Sequence, residues 1–135
     1  MMQNGLTLTK EQVREMLAHL EAHLPLEACG LLAGKEKRVE KVLFVRNQAQ
    51  SPVRFVMDAE EQLHAFEWMD EHGLDLLGIF HSHPAGPETV SPTDIAEAAY
   101  EVVHVVCSRK DGEWTLRGFW IENGKAREVP LQVET

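Results

Sequence analysis

The chain is short of several things, and each shortage narrows what it does. Its 135 residues include only two cysteines, Cys29 and Cys107, too few for a disulfide-stapled secreted scaffold. Its most apolar stretches, such as residues 102–107, fall far short of the roughly 20 residues that span a bilayer. The opening MMQNGLTLTKEQ has no basic segment followed by an apolar block, so no secretory signal is expected, and a reduced, cytoplasmic protein is. No repeat, low-complexity tract or Pro/Gly/Ser linker interrupts the chain, and its length suits one domain over residues 1–135. Lys and Arg are missing altogether from residues 55–108, a stretch with eleven Asp and Glu, and the whole chain carries a formal charge of -9. An acidic central half argues against nucleic acid, whose phosphates need cationic partners, and against anionic membrane surfaces. It suits a bound cation or a partner with a basic face, or simply a solvated surface.

What is present is an alternation of helix and strand patterns. Residues 9–24 read as a helix: Val13, Leu17, Leu20 and Leu24 share a face, Thr9 with Gln12 forms a capping box, and Pro25 follows. Residues 28–33 and 39–45 read as strands, and residues 54–57 as a short third one. Residues 58–72 read as a second helix, capped by Asp58 with Glu61 completing the box, buried along Ala59, Leu63, Phe66 and Met69, and stopped by Gly73. Residues 74–81 form a buried strand pattern running into His-Ser-His-Pro. Ser91 and Pro92 open a third helix reaching about Tyr100. A strand at 102–107 is joined by Asp111-Gly112 to one at 114–121, and by Asn123-Gly124 to a last one at 126–133. The expected fold is mixed α/β, a central mixed sheet flanked by helices, with strand order left open.

The chemistry concentrates in residues 81–94. Alternation along an extended chain puts His81 and His83 on one side, and Asp94 lies in the first turn of the next helix. Two His, a carboxylate and an open position recur in catalytic zinc sites. Ser91, three residues before Asp94, places a hydroxyl at the same helix start, able to donate to an oxyanion. His-x-His pairs also arise by chance, and Ser and Asp at a helix start are ordinary caps. The residues alone leave both readings open.

The spacing goes further. His-x-His, Ser eight residues after the second His and Asp three later resembles the signature of the JAMM (MPN-plus) metalloproteases without any gap adjustment. Glu27, in Pro25-Leu26-Glu27-Ala28-Cys29-Gly30-Leu31-Leu32, matches the family's upstream glutamate. Arg54-Phe55-Val56-Met57-Asp58 and Leu77-Gly78-Ile79-Phe80 are similar to the compact prokaryotic branch, and the likeness covers roughly residues 6–130. Val90 is a departure, since many relatives have Pro before the serine. The resemblance implies an MPN/cytidine-deaminase-like core and one Zn2+ per chain held by His81, His83 and Asp94. It implies Glu27 as general base and Ser91 as oxyanion donor. It also implies hydrolysis after the C-terminal Gly-Gly tail of a ubiquitin-like or sulfur-carrier protein, at an isopeptide to lysine or an amide to a small amine such as cysteine. Residues 47–52 and 85–90 are the expected walls of a groove for that tail. A zinc hydrolase of small amides or short peptides and a non-catalytic MPN scaffold are the alternatives. Oligomeric state stays open, a homodimer included. Of the seventeen glutamates, nothing but the resemblance selects Glu27.

Other residues have plainer readings. His19 and His23 are four apart on a helix but lack the Glu of His-Glu-x-x-His, so no metal role is expected. His64 and His72 read as solvent-facing, His104 as a hydrogen-bonded core histidine, and Cys29 and Cys107 as small buried hydrophobes. Trp114, Phe119 and Trp120 have no basic neighbours for base stacking and read as packing residues.

Overall fold

The computed structural model describes residues 5–135. Its first strand, β1 (Leu6–Thr9), was not expected, because four residues are too few for alternation to stand out. Helix α1 (Lys10–Ala22) starts on the predicted box: Thr9 Oγ1 accepts the Gln12 N–H, and the Gln12 side chain accepts the Thr9 N–H. It stops two residues early, with His23 as its C-cap. Strands β2 (Cys29–Lys35) and β3 (Arg38–Val45) form an antiparallel pair. Gly30 is required inside β2, since a Cβ there would lie 2.5 Å from the Phe80 ring and 2.6 Å from the Leu43 carbonyl.

Residues 54–57 form no strand, contrary to expectation; a single bridge joins Asn47 to Met57. The Arg54 carbonyl and the Val56 N–H are bonded to the Asn47 side chain instead, which removes them from any ladder. Helix α2 (Ala59–Glu71) is capped by Asp58, whose carboxylate accepts the Glu61 N–H. The Glu61 carboxylate does not close the box; it accepts the Arg46 N–H at 2.8 Å. The buried stripe also differs from the predicted one. Ala65 and Met69 face the sheet, Phe66 is half-buried, and Leu63 is 57 % exposed.

Strand β4 (Asp75–His83) pairs antiparallel with β2 and parallel with β5 (Val103–Lys110). Between them lies the short helix α3 (Pro92–Glu97), which ends at Ala98 rather than near Tyr100. β6 (Glu113–Glu122) follows through the Asp111-Gly112 turn, with both turn residues at positive φ, as such a hairpin requires. The expected last strand is split at Pro130, which has no N–H to give a ladder. β7 (Lys125–Val129) pairs with β6, whereas β8 (Leu131–Glu134) pairs in parallel with β1. The order is β7-β6-β5-β4-β2-β3-β1-β8. Its two ends are therefore joined by one residue, and the sheet rolls round on itself.

The two faces of the sheet have separate cores. Met16 and Leu20 of α1 pack with Leu8, Leu32, Phe80, Val105 and Cys107 on one face. On the other, Ala65 and Met69 of α2 pack on Leu31, Val45 and Ile79. Beside them Ile95 and Ala98, at the α3 end, pack with Val90, Val106 and Phe119. Period-two alternation in β4 turns Phe80 toward α1 and Ile79, His81 and His83 toward α2 and α3.

Candidate metal centre

The end of β4 delivers both histidines into the space between α2 and α3. His81 is fully buried and stacks on the Phe55 ring at 4.4 Å. His83 Nδ1 lies 2.9 Å from the Pro87 carbonyl. A carbonyl can only accept, so Nδ1 donates to it and Nε2 is the nitrogen turned toward His81 and Asp94, the orientation of a ligating histidine. The capping box of α3 brings in Asp94. Ser91 Oγ accepts the Asp94 N–H at 3.0 Å, and the Ser91 N–H donates to Asp94 Oδ2 at 2.8 Å. The carboxylate is thus fixed from its own helix start.

The three side chains converge. His81 Nε2 lies 3.0 Å from His83 Nε2, and Asp94 Oδ2 lies 3.3 and 3.1 Å from the two nitrogens. Ligand atoms about 2.05 Å from a tetrahedral centre stand about 3.3 Å apart, so the spacing suits a small cation of zinc type. Asp94 supplies the charge. Burial would push its pKa up, but hydrogen bonds from His81 and His83 outweigh burial and hold it well below the usual carboxylate range. Burial pushes His81 down, leaving its imidazole neutral.

Glu27 reaches the same place from the other side. The register Cys29↔His81 continues outward, with the Ala28 N–H donating to Ser82 Oγ at 2.9 Å and the Ser82 N–H to the Ala28 carbonyl at 3.0 Å. Glu27 therefore sits opposite His83. Its own backbone is tied down, its N–H to the Ser51 carbonyl at 2.8 Å and its carbonyl to Asn47 Nδ2 at 3.0 Å. The side chain is 3 % exposed, and its Oε1 has no protein partner. One ligand-type atom each from Glu27, His81 and His83 lies within 4.8 Å of the others. The two carboxylates differ in proton affinity. Burial, opposed by His83 and reinforced by Asp94, pushes Glu27 up to about 8. A carboxyl titrating near neutrality suits proton transfer, and one held ionised suits a cation.

Of the five residues picked from the sequence, Glu27, His81, His83 and Asp94 thus converge, and Ser91 joins them through its two hydrogen bonds to Asp94. Of the expected groove walls, Asn47 and Gln50 line a cavity of about 370 Å³ together with Glu27, and Asn47 and Ser51 also brace the Glu27 backbone. Pro87 of the 85–90 loop orients His83. A second cavity, of about 330 Å³ beside Asp94, is lined by residues 54–57, Ile79, Asp94, Tyr100 and His104. Ser82, Phe55 and Pro87 escaped the sequence reading because each acts through a contact that only strand register or loop path creates. His19 and His23 line the cavity on the Glu27 side, His19 stacked on Phe44 at 4.2 Å. His64 and His72 are exposed. Cys29 and Cys107 are buried free thiols, and burial pushes Cys29 up to about 12. His104 is buried as expected, but its Nε2 has no protein partner.

Known proteins resemble the chain in sequence and in fold. Residues 9–121 match the family described as prokaryotic homologs of the JAB domain. A desampylase of Pyrococcus furiosus is 43% identical over 112 residues, covering 81% of this chain and 77% of its own. A probable TtuB-protein conjugate cleaving protease of Thermus thermophilus is 38% identical, covering 90% and 78%. A CysO-cysteine peptidase of Mycobacterium bovis is 33% identical, covering 95% and 90%. The solution structure of protein DSY2949 from Desulfitobacterium hafniense superposes with a TM-score of 0.87 at 38% identity, covering 96% of this chain and 92% of that one. AF2198, a JAB1/MPN domain protein of Archaeoglobus fulgidus, shares the fold at a TM-score of 0.61 and 19% identity, covering 96% and 97%. With residues 9–121 matched by the family and relatives 33–43% identical over most of its length, the chain belongs to the prokaryotic JAB-domain family.

Proposed function

We propose that this protein is a zinc-dependent metallopeptidase that cleaves the (iso)peptide or amide bond after the C-terminal Gly-Gly tail of a ubiquitin-like or sulfur-carrier protein. The observation that carries the reading is the convergence of His81, His83 and Asp94 within 3.3 Å of one another, with Glu27 protonating near neutrality beside them. The relatives named for desampylation, TtuB-conjugate cleavage and CysO-cysteine hydrolysis support the substrate class. We take the chain to act as a single domain in the cytoplasm. Two buried free thiols suit a reducing compartment, and no helix among the described residues is long and apolar enough to cross a membrane.

His81, His83 and Asp94 would hold the zinc. When bound, it supplies a Lewis acid that acidifies water and polarises the scissile carbonyl. Glu27, anchored on both sides by backbone hydrogen bonds, takes the proton from the attacking water at its unpartnered Oε1. It later gives that proton to the departing amine. Ser91 Oγ already accepts the Asp94 N–H, and its hydroxyl proton is free to donate to the oxyanion. Glycines in the tail let a backbone approach a centre this enclosed.

The test combines metal content with cleavage of a sulfur-carrier protein extended by one cysteine after Gly-Gly, and of a lysine-linked conjugate. One zinc per chain and cleavage that Glu27→Gln abolishes support the reading. Zinc with hydrolysis of short peptides alone would favour a small-amide hydrolase. A metal-free, inactive protein would leave a scaffold.

A further inference from the structure

The cavity beside the centre holds a group the mechanism does not use. His104, on β5, lines it at 3 % exposure. One side of its imidazole is held by the Tyr100 backbone, and its Nε2 has no partner. With the proton on the Tyr100 side, Nε2 is a bare acceptor. A buried acceptor left without a donor costs free energy, and the residue that carries it lines a space of about 330 Å³.

The cavity borders Asp94 and not Glu27. Glu27, two residues before β2, and α3, over β5 and β6, flank the histidines from opposite sides. If Glu27 returns its proton to the amine, the amine departs on the β2 side and the acyl chain runs toward the cavity. Two extended glycines span about 7 Å, so the residues just upstream of Gly-Gly are the ones that reach it. The walls are mostly apolar, with Phe55, Ile79 and Tyr100 among them. An ion pair from Arg54 to Glu97 at 2.8 Å spans the rim and keeps it formed.

Resting on the peptidase reading above, we infer that this cavity is the subsite for a tail residue upstream of Gly-Gly, and that His104 selects a hydroxyl-bearing side chain there. An apolar body suits the walls, and the hydroxyl proton satisfies Nε2. A carboxylate would face Asp94 and Glu97, and an ammonium would be buried against a neutral imidazole.

Threonine and valine are near-isosteric and separate the hydroxyl from shape. Carriers with Thr or Val at each of the three residues before Gly-Gly are compared by kcat/KM. At one position Thr should be favoured by about tenfold or more. The preference should vanish in His104→Phe and survive in part in His104→Gln, whose amide oxygen still accepts. A ratio near one at all three positions, or one unchanged in His104→Phe, overturns the proposal. Tail peptides added to the Glu27→Gln protein give a readout independent of turnover. The His104 Nε2 nitrogen resonance should move with the Thr peptide and not with its Val twin. No shift with any peptide overturns the subsite even if carriers are cleaved. A Thr-specific shift without cleavage of any carrier tells against the peptidase reading alone.

Discussion

At the scale of single residues, the site separates two carboxylates by environment. Asp94 is held ionised by two imidazoles and a backbone N–H, while Glu27 keeps an unpartnered oxygen and a proton affinity near neutrality. Glu27→Gln should therefore keep the metal and lower kcat by roughly 10²–10⁴-fold; near-normal turnover with full metal would remove Glu27 as the base. His83→Ala should lose metal and activity together, and stoichiometric zinc in that variant would contradict its ligand role. His104 makes a stability prediction. Burial, with His81 adding to it, lowers its pKa from 6.5 to about 4. The folded state thus refuses a proton that the unfolded chain accepts. The contribution is complete above pH 6.5 and is lost as pH falls toward 4, up to about 3 kcal/mol. Urea unfolding at pH 7 and pH 4.5 should show that loss, and His104→Gln should flatten it. The proposed metal ligands were legible because they lie within fourteen residues of one another. Glu27 was legible only by resemblance, because its place beside His83 depends on pairing between β2 and β4, which no local pattern encodes.

At the scale of elements, two short pieces aim the chemistry. The capping box of α3 fixes Asp94 and presents Ser91. Ser91→Ala should cost about 1 kcal/mol as a lost cap and lower kcat by roughly 10²–10³ if its hydroxyl donates to the oxyanion. An unchanged kcat with lowered stability would leave it as a cap alone. The link between β2 and β4 is the second piece. Ser82 is fully buried and satisfies the Ala28 N–H. Ser82→Ala should destabilise by about 1–3 kcal/mol and reduce kcat with metal retained, because Glu27 loses its neighbour's anchor; calorimetry and zinc analysis together check both halves. Helix starts and hairpin turns were readable because caps and Gly-containing turns are local chemistry. Thr9 with Gln12 and Asp111-Gly112 behave as expected. The stripe on α2 was misread at Leu63 because periodicity gives a face but not its rotation against the sheet. Residues 54–57 looked like a strand because the sequence does not show that the Asn47 side chain claims their backbone groups.

At the scale of the whole molecule, the sheet divides labour between its faces, with a helix-packed core under α1 and the site on the other side. Metal bound only by the folded chain should stabilise it. Removal by chelation should lower the melting temperature by about 10 °C when the free ion had stood near 100 times its dissociation constant, and His83→Ala should melt at the same temperature with or without chelator. The curl of the sheet rests on close contacts at its join. A Cβ on Gly118 would lie 2.8 Å from Leu131 Cδ2, so Gly118→Val should destabilise the protein by forcing β6 and β8 apart, measured by denaturant midpoint. The join has a further consequence in the order in which the polypeptide becomes available. Leu6 pairs with Leu131 and Thr9 with Glu134, so one flank of the first strand waits for a neighbour made 125 residues later. Closure then depends on contacts this remote along the chain, which slows folding. A nascent chain halted before Pro130 would carry every residue of the proposed metal site inside a sheet that has not yet met its own end.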